Sequence, residues 1–187
     1  MKQLCLQLGL GAFVIAIGLG GVGHATQRKE ERAVVASPDN QLRAILITLD
    51  PRTDHGGDES RVEIRDRSGK LLSVKDFSSS DSNHGGVVAK DDWTPDSQFF
   101  VFNVESSGGH QPWRSPVWFY SRRDQKFREI SELLGGRPVL EVSALPFEII
   151  APHSVRVTTW TRPGVDSKNE VTLVVDLIGP APTQPTH

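Results

Sequence analysis

The chain has 187 residues, 37% of them hydrophobic, and a formal net charge of −2. This length and composition suffice for one hydrophobic core, and the near-neutral charge excludes the global basic field that draws in nucleic acid or anionic lipid. The single cysteine, Cys5, lies in the N-terminal segment, which excludes a disulfide framework for the rest of the chain.

The N-terminal segment has the pattern of a secretory signal. Lys2 supplies a positive start, residues 4–22 are mostly apolar, and Gly23-His24-Ala25 offers small residues at a cleavage site. We therefore predict a signal peptide over residues 1–25 and a periplasmic or secreted protein. An uncleaved membrane anchor is the alternative, because the apolar run approaches the ~20 residues that span a bilayer. Contact with a membrane is expected only through this segment.

The following residues predict strands and almost no helix. Short runs rich in Val, Ile, Phe and Thr are separated by Gly, Pro, Asp and Ser about every dozen residues, which is typical of an all-β protein. We predict two complete four-stranded antiparallel meanders and a truncated third in one domain, residues 26–178, followed by a disordered proline-rich tail, residues 179–187. The predicted strands are 33–36, 42–49, 61–65 and 70–77, then 87–93, 99–104, 116–121 and 126–133, then 147–151, 155–161 and 170–177.

A turn recurs at a fixed interval along these strands. Turns that begin at Ser37, Thr94 and Ala151 each carry proline at the second position and lead into an apolar run, at two equal spacings of 57 residues. Proline and the following Asp favour a compact reversal between strands. Residues 99–102 are apolar at odd and even positions alike, so both faces of that strand are expected to be covered and the sheets to stack.

This repeated turn resembles that of a known family. Trp-Thr-Pro-Asp-Ser-Gln-Phe-Phe-Val-Phe (93–102), with Ser-Pro-Asp-Asn-Gln (37–41) as its earlier copy, is similar to the Pro-Asp repeat of TolB-like β-propellers. The resemblance implies four-stranded propeller blades. Propeller repeats are usually ~40 to 50 residues long and closed rings have four or more blades, whereas these units are longer and fewer. We therefore expect an open stack of propeller-like sheets and not a closed ring, with ring closure by association of chains as the alternative.

Three glycine-rich loops that contain histidine are expected on one edge of this stack. In an up-and-down meander, the loops at residues 50–60, 78–86 and 105–115 emerge on the same side. Such loops on a rigid β scaffold often carry binding residues. We predict a non-catalytic binding or protein-interaction module that recognises a protein or glycan of the cell envelope, and no nucleic acid. The ligand-binding candidates are His55, His84, His110, Trp113, Asn83 and Arg114.

Other interpretations of this edge stay open. A divalent metal held by His55, Asp58, His84 and His110 is one, although the spacing matches no common zinc motif, so we expect no cofactor. A hydrolase that uses Ser106 or Ser107 with His110 and Glu105 is another, but no Gly-x-Ser-x-Gly elbow is present, so an enzyme is the less favoured class. The glycines of these loops can also have a purely structural role in turns, with no ligand bound at this edge. Trp93, Trp118 and Trp160 are interpreted as core residues.

Overall fold

The computed structural model describes residues 31–49, 59–80, 84–109, 115–134, 141–142, 147–160 and 170–179. The predicted signal peptide and nearly all of the predicted tail lie outside these ranges. Within them the protein is all-β, as predicted, with one short 3-10 helix. No helix in the described part of the chain has the length and apolar character needed to cross a membrane.

The strands form three antiparallel sheets in chain order. The first sheet contains β1 (Glu31–Ala36), β2 (Leu42–Leu49), β3 (Glu59–Asp66) and β4 (Leu71–Asp76). The middle sheet contains β5 (Gly86–Trp93), β6 (Phe99–Ser106), β7 (Val117–Ser121) and β8 (Lys126–Glu129). The third sheet contains β9 (Glu141–Val142), β10 (Glu148–Ala151), β11 (Ser154–Trp160) and β12 (Glu170–Asp176). Both β9 and β10 pair with the same side of β11, so three strand positions are filled there.

The predicted architecture is confirmed: two complete meanders and a truncated third form an open, propeller-like stack that does not close into a barrel. One strand prediction was wrong in part. The strand expected over residues 126–133 ends at Glu129, and Ile130–Leu133 form the 3-10 helix. The Glu132 side chain accepts a bond from the Glu129 amide, a capping interaction that starts a helical turn at this point.

The middle sheet lies between the other two because its central strands, β6 and β7, are apolar on both faces. Phe100 and Phe102 point to the first sheet, where they pack with Val62 and other residues of β2 and β3. Phe99 and Val101 point the opposite way, into a second cluster that includes residues of β11 and β12. Side chains alternate between the two faces of a strand, so adjacent residues of β6 serve different cores.

The two Pro-Asp turns have the same hydrogen bonds at equivalent positions. The Ser37 hydroxyl donates to Asp39 Oδ1 at 2.7 Å, and the Thr94 hydroxyl donates to Asp96 Oδ1 at 2.7 Å. In each turn the Asp carboxylate also accepts the amide two residues on, at 3.1 Å, and the fourth residue has a positive φ, 56° at Asn40 and 63° at Ser97. The repeat seen in the sequence is therefore a repeat of local structure.

The third copy is built differently. Its turn consists of Pro152 and His153 alone, and β11 begins at Ser154. No Asp follows this proline, so the carboxylate that organises the longer turns is missing and the chain reverses over two residues. The spacing of 57 residues therefore predicts where this turn starts, but the turn differs from the other two in length and in hydrogen bonds.

The Pro-Asp turns also join one sheet to the next. The Asp39 amide donates to Ser97 Oγ at 3.1 Å, and the Asp39 carboxylate pairs with Arg122 of the middle sheet at 2.5 Å. Asp96 in turn lies 3.2 Å from His153 Nδ1, at the turn of the third sheet. Each Asp therefore organises its own turn and contacts the following sheet.

Acid is expected to weaken this junction. The hydrogen bond from Ser37, followed by that from Arg122, holds the pKa of the Asp39 carboxyl well below its usual range. A carboxyl with a lowered folded-state pKa contributes stability that is complete above its unfolded pKa of about 3.9 and is lost as pH falls toward the folded value. We expect Asp39→Asn to be less stable at pH 7 and to lose less stability than the native chain between pH 5 and pH 2.

Urea unfolding at several pH values measures this difference. Asp66→Asn is the matched control, because the Asp66 carboxylate accepts bonds within its own turn, from Ser68 and Lys70. The bond from the Ser68 hydroxyl lowers the pKa of the Asp66 carboxyl as well, so this variant should also depend less on pH. Because Arg122 pairs with Asp39 and not with Asp66, hydrogen exchange of the Arg122 guanidinium should be faster in Asp39→Asn and unchanged in Asp66→Asn. If the free energy of unfolding depends on pH equally in the native chain and in Asp39→Asn, the ionised Asp39 carboxylate does not stabilise this junction.

Candidate functional site

The stems of the three predicted histidine loops meet around one buried carboxylate. Glu59, the first residue of β3, is only 3% exposed. Its carboxylate accepts the Ser79 amide at 2.7 Å and the Gly85 amide at 2.9 Å, both from the segment between β4 and β5. It also accepts the Ser107 hydroxyl at 3.2 Å, from the end of β6. Glu59 thus joins the first sheet to the middle sheet at this edge.

Four donors satisfy this carboxylate, because the Ser79 hydroxyl adds a fourth bond at 2.6 Å. Burying a carboxylate is costly unless hydrogen bonds replace its water. Here backbone amides and hydroxyls of two chain segments do so. Glu59 is therefore a structural anchor for the loops.

The glycines next to His84 are required by close contacts. A Cβ on Gly85 would lie 2.4 Å from Glu59 Oε1 and 2.5 Å from the Phe77 carbonyl oxygen. A Cβ on Gly86 would lie 2.4 Å from a Val104 methyl carbon. The Ser107 amide also donates to the Gly85 carbonyl at 3.1 Å. Only residues without a side chain allow the three segments to approach this closely.

The next loop stem is fixed by a second buried polar contact. Asn103 Nδ2 donates to Ser115 Oγ at 2.8 Å, and the two residues are 2% and 0% exposed. This bond joins β6 to the residues just before β7. The described ends of the loop at residues 110–114 are therefore held in place from both sides.

A cleft of about 480 Å³ opens at this edge between the first sheet and the middle sheet. Its walls come from the residue after β4, the start of β5, the end of β6, the start of β7 and the end of β8. The lining residues are Phe77, His84, Gly85, Gly86, Val104, Glu105, Ser106, Pro116, Trp118 and Glu129. A cleft of this volume lies in the range of small-molecule and peptide side-chain sites.

Aromatic rings form the apolar part of the cleft. The rings of Phe77 and Trp118 meet edge to face with centroids 5.6 Å apart, and Phe77 meets Phe102 of the core in the same way at 5.9 Å. The Lys75 ammonium lies 4.3 Å from the centre of the Trp118 ring, a favourable cation–π distance. Trp118 is half-buried, so it packs on the core as predicted and also lines the cleft.

The polar part of the cleft is acidic. Glu105 and Glu129 both line it, the first exposed and the second half-buried. Glu129 pairs with Trp118 across β7 and β8, so its carboxylate and the aromatic surface belong to the same sheet face. His84 is exposed at the rim. The cleft thus combines an aromatic surface with two carboxylates.

Only one of the predicted site residues lies in the described part of the chain. His84 lines the cleft, next to the anchor formed by Glu59. The other candidates lie outside the described residues: His55, Asp58, Asn83, His110, Trp113 and Arg114. The described residues contain no cluster of three or more His, Cys, Asp or Glu that could hold a metal ion. The predicted metal site therefore stays a prediction.

Several residues of this edge were not predicted from the sequence. Glu59 and Glu129 are ordinary polar positions of a predicted loop and strand, and Phe77 is the end of a predicted strand. Glu105 is a candidate only in the less favoured hydrolase, together with His110. The one available signal was position, because Glu59 and Glu105 directly adjoin two of the glycine-rich loops. Searches against family models and against curated proteins found no family model and no curated protein that matches this chain.

Proposed function

We propose that this protein is a non-catalytic binding module, and that it recognises a partner protein through the cleft at the loop edge. One observation carries the proposal: the cleft places the aromatic surface of Phe77 and Trp118 beside the carboxylates of Glu105 and Glu129. A rigid anchor, Glu59, holds the surrounding segments in place. Preorganised loops of this kind lose little entropy on binding.

The chemistry of the cleft favours a basic side chain of the partner. Carboxylates attract a lysine or arginine by charge and by hydrogen bonds, and aromatic rings contact its methylene groups and its cation. Glu105 and Glu129 supply two such carboxylates within one cleft. We infer that the partner presents an exposed segment with lysine or arginine. A glycan of the cell envelope is the competing ligand, because aromatic and acidic residues also contact sugars.

The location and the family belong to the same proposal. The signal-like pattern of residues 1–25 supports a periplasmic or secreted protein. The equivalent bonds of the turns at Asp39 and Asp96 support a likeness to TolB-like propeller blades. Both expectations agree with a recognition domain of the cell envelope.

Titration calorimetry with a short peptide probe tests the cleft. The probes are Gly-Lys-Gly-Arg-Gly, its counterpart with Glu in place of both basic residues, and chitotriose. We expect the basic peptide to bind, and Glu105→Gln/Glu129→Gln to weaken that binding at least tenfold. The matched control is Asp124→Asn/Glu148→Gln, which removes the same charge from two exposed carboxylates outside the cleft.

Two results would overturn the assignment. Equal weakening by both double variants would show a general effect of net charge and no specific site. Binding of chitotriose without binding of the basic peptide would replace the protein partner by a glycan. Circular dichroism of each variant provides the check that the fold is intact.

A further inference from the structure

In the part of the chain that the structure describes, the third sheet has no fourth strand at the position where the other two sheets have one. In the first sheet β3 is flanked by β4, and in the middle sheet β7 is flanked by β8. The equivalent strand of the third sheet is β12, which pairs with β11 on one side. Among the described residues no strand pairs with its other side. One strand position of the third sheet is therefore not filled by any of the residues described.

β12 has the properties of a strand that can accept another. It pairs with β11 over seven consecutive positions without a bulge. The other strands that end a sheet on this side are protected, because β8 has only four residues and the pairing of β4 is interrupted by a register shift. Long, regular edges present unpaired amides and carbonyls to other chains, whereas short or bulged edges do not.

The side chains of β12 are also incompletely covered. Leu173 faces the core of the third sheet but is only half-buried, whereas Val175 on the same face is 5% exposed. On the opposite face Val174 is 61% exposed. A further strand beside β12 would cover the open flank of Leu173 and contact Val174.

The existing fourth strands indicate the chemistry of the missing one. β4 ends in Val-Lys-Asp (74–76) and β8 in Phe-Arg-Glu (127–129). In the strand register, Lys75 lies opposite Val62 of β3, and Arg128 lies opposite Phe119 of β7. Val62 and Phe119 lie on the sheet face that is turned toward the next sheet along the chain. In the third sheet, the corresponding face carries Val174 and Asp176. A basic residue of an added strand would therefore lie on the face of the third sheet that carries Val174 and Asp176.

We propose that β12 is a docking edge for an extended segment of a partner protein, added antiparallel as a fourth strand in which a basic residue follows an apolar one. Backbone hydrogen bonds supply the attachment and the two side-chain faces supply the selectivity, as in other cases of strand addition. The edge is independent of the cleft, and its occupant need not be the ligand of the cleft.

A second copy of the chain fits this edge less well. Antiparallel pairing of two β12 strands about Leu173 would set Glu170 of one copy opposite Asp176 of the other, at both ends of the pair. Like charges directly opposite each other destabilise a sheet. The C-terminal segment after Gly179 is also poorly suited to form the added strand, since Pro180, Pro182 and Pro185 have no amide hydrogen for the backbone hydrogen bonds of a sheet.

A synthetic peptide provides the test. The probe copies residues 70–77, Lys-Leu-Leu-Ser-Val-Lys-Asp-Phe, and two further versions are N-methylated at alternate residues, one at odd and one at even positions. Only alternate amides of a strand point to a given neighbour. We expect the unmodified peptide to bind and one of the two methylated versions, but not the other, to bind at least tenfold more weakly.

Matched variants locate the binding edge. Val174→Lys should weaken peptide binding at least tenfold, because it replaces an exposed apolar contact by a charge that repels the basic peptide. Val34→Lys is the control, since Val34 is 58% exposed and lies on the first sheet. It adds the same charge and should change binding less than twofold.

The outcomes that would overturn the proposal are distinct. Absence of binding, equal binding of all three peptides, or equal effects of the two valine variants would each contradict a backbone-mediated site at β12. A dimer in sedimentation experiments that Val174→Lys dissociates would show a second copy as the occupant. The same peptides are also measured on Glu105→Gln/Glu129→Gln, in which the cleft is expected to lose its affinity for basic peptides. The difference between the two methylated peptides should persist in that variant, which separates this test from that of the cleft.

Discussion

Phe102→Ala is expected to destabilise the fold by about 3–5 kcal/mol, the usual cost of removing a fully buried aromatic side chain. Phe102 is 0% exposed. Its ring centroid lies 5.7 Å from that of Phe100, 5.9 Å from that of Phe77 and 6.0 Å from that of Phe127. Phe77 follows the first sheet and the other rings belong to the middle sheet, so the substitution leaves a cavity between the two sheets.

Urea unfolding at neutral pH measures this loss. Val34→Ala is the control, because the Val34 side chain is largely exposed on the outer face of the first sheet and its truncation should change the free energy of unfolding by no more than about 0.5 kcal/mol. A loss below about 1 kcal/mol for Phe102→Ala would mean that the two sheets do not pack through this residue.

Glu59→Ala is expected to cost about 3 kcal/mol and to release the loop edge. The substitution leaves the amides of Ser79 and Gly85 without their acceptor, and an unsatisfied buried donor costs about 1–3 kcal/mol. It also removes the bond from Ser107 to the same carboxylate. Hydrogen exchange should become faster at the Ser79 and Gly85 amides through local opening. The core amides of β6 should still exchange only through global unfolding.

A second variant keeps this prediction testable if Glu59→Ala does not fold. Glu59→Gln retains one acceptor oxygen and should lose less stability than the alanine variant, with faster exchange at only part of the edge. Glu148→Ala is the control, because its carboxylate is exposed and pairs with exposed Arg156, an arrangement that contributes little to stability. Equal effects of Glu59→Ala and Glu148→Ala would contradict the role of Glu59 as an anchor.

The strands could be predicted from the sequence because each carries its own local signal. The apolar run of residues 99–102 predicted a strand covered on both faces, and the structure gives Phe99 and Phe100 to different cores. The turns at Ser37 and Thr94 contain the residues that set their geometry, so their recurrence indicated repeated sheets. Local chemistry of this kind does not depend on distant residues.

The arrangement of the loop edge could not be predicted in the same way. Glu59 is bonded to Gly85 and Ser107, 26 and 48 residues away, and no local pattern specifies those partners. The cleft likewise forms from the ends of two sheets and has no motif of its own. The end of β8 at Glu129 was missed because the capping bond from Glu132 competes with an apolar pattern that favours a longer strand.

The central claim is that β6 lies between two other sheets and presents alternate residues to each. A nuclear Overhauser experiment on aromatic protons tests it most directly, since Phe102 and Phe77 have centroids 5.9 Å apart and Phe99 and His153 have centroids 6.0 Å apart. We predict cross-peaks for both pairs and none between Phe99 and Phe77. Cross-peaks from Phe99 and Phe102 to the same sheet, or the absence of both predicted pairs, would contradict the stacked arrangement.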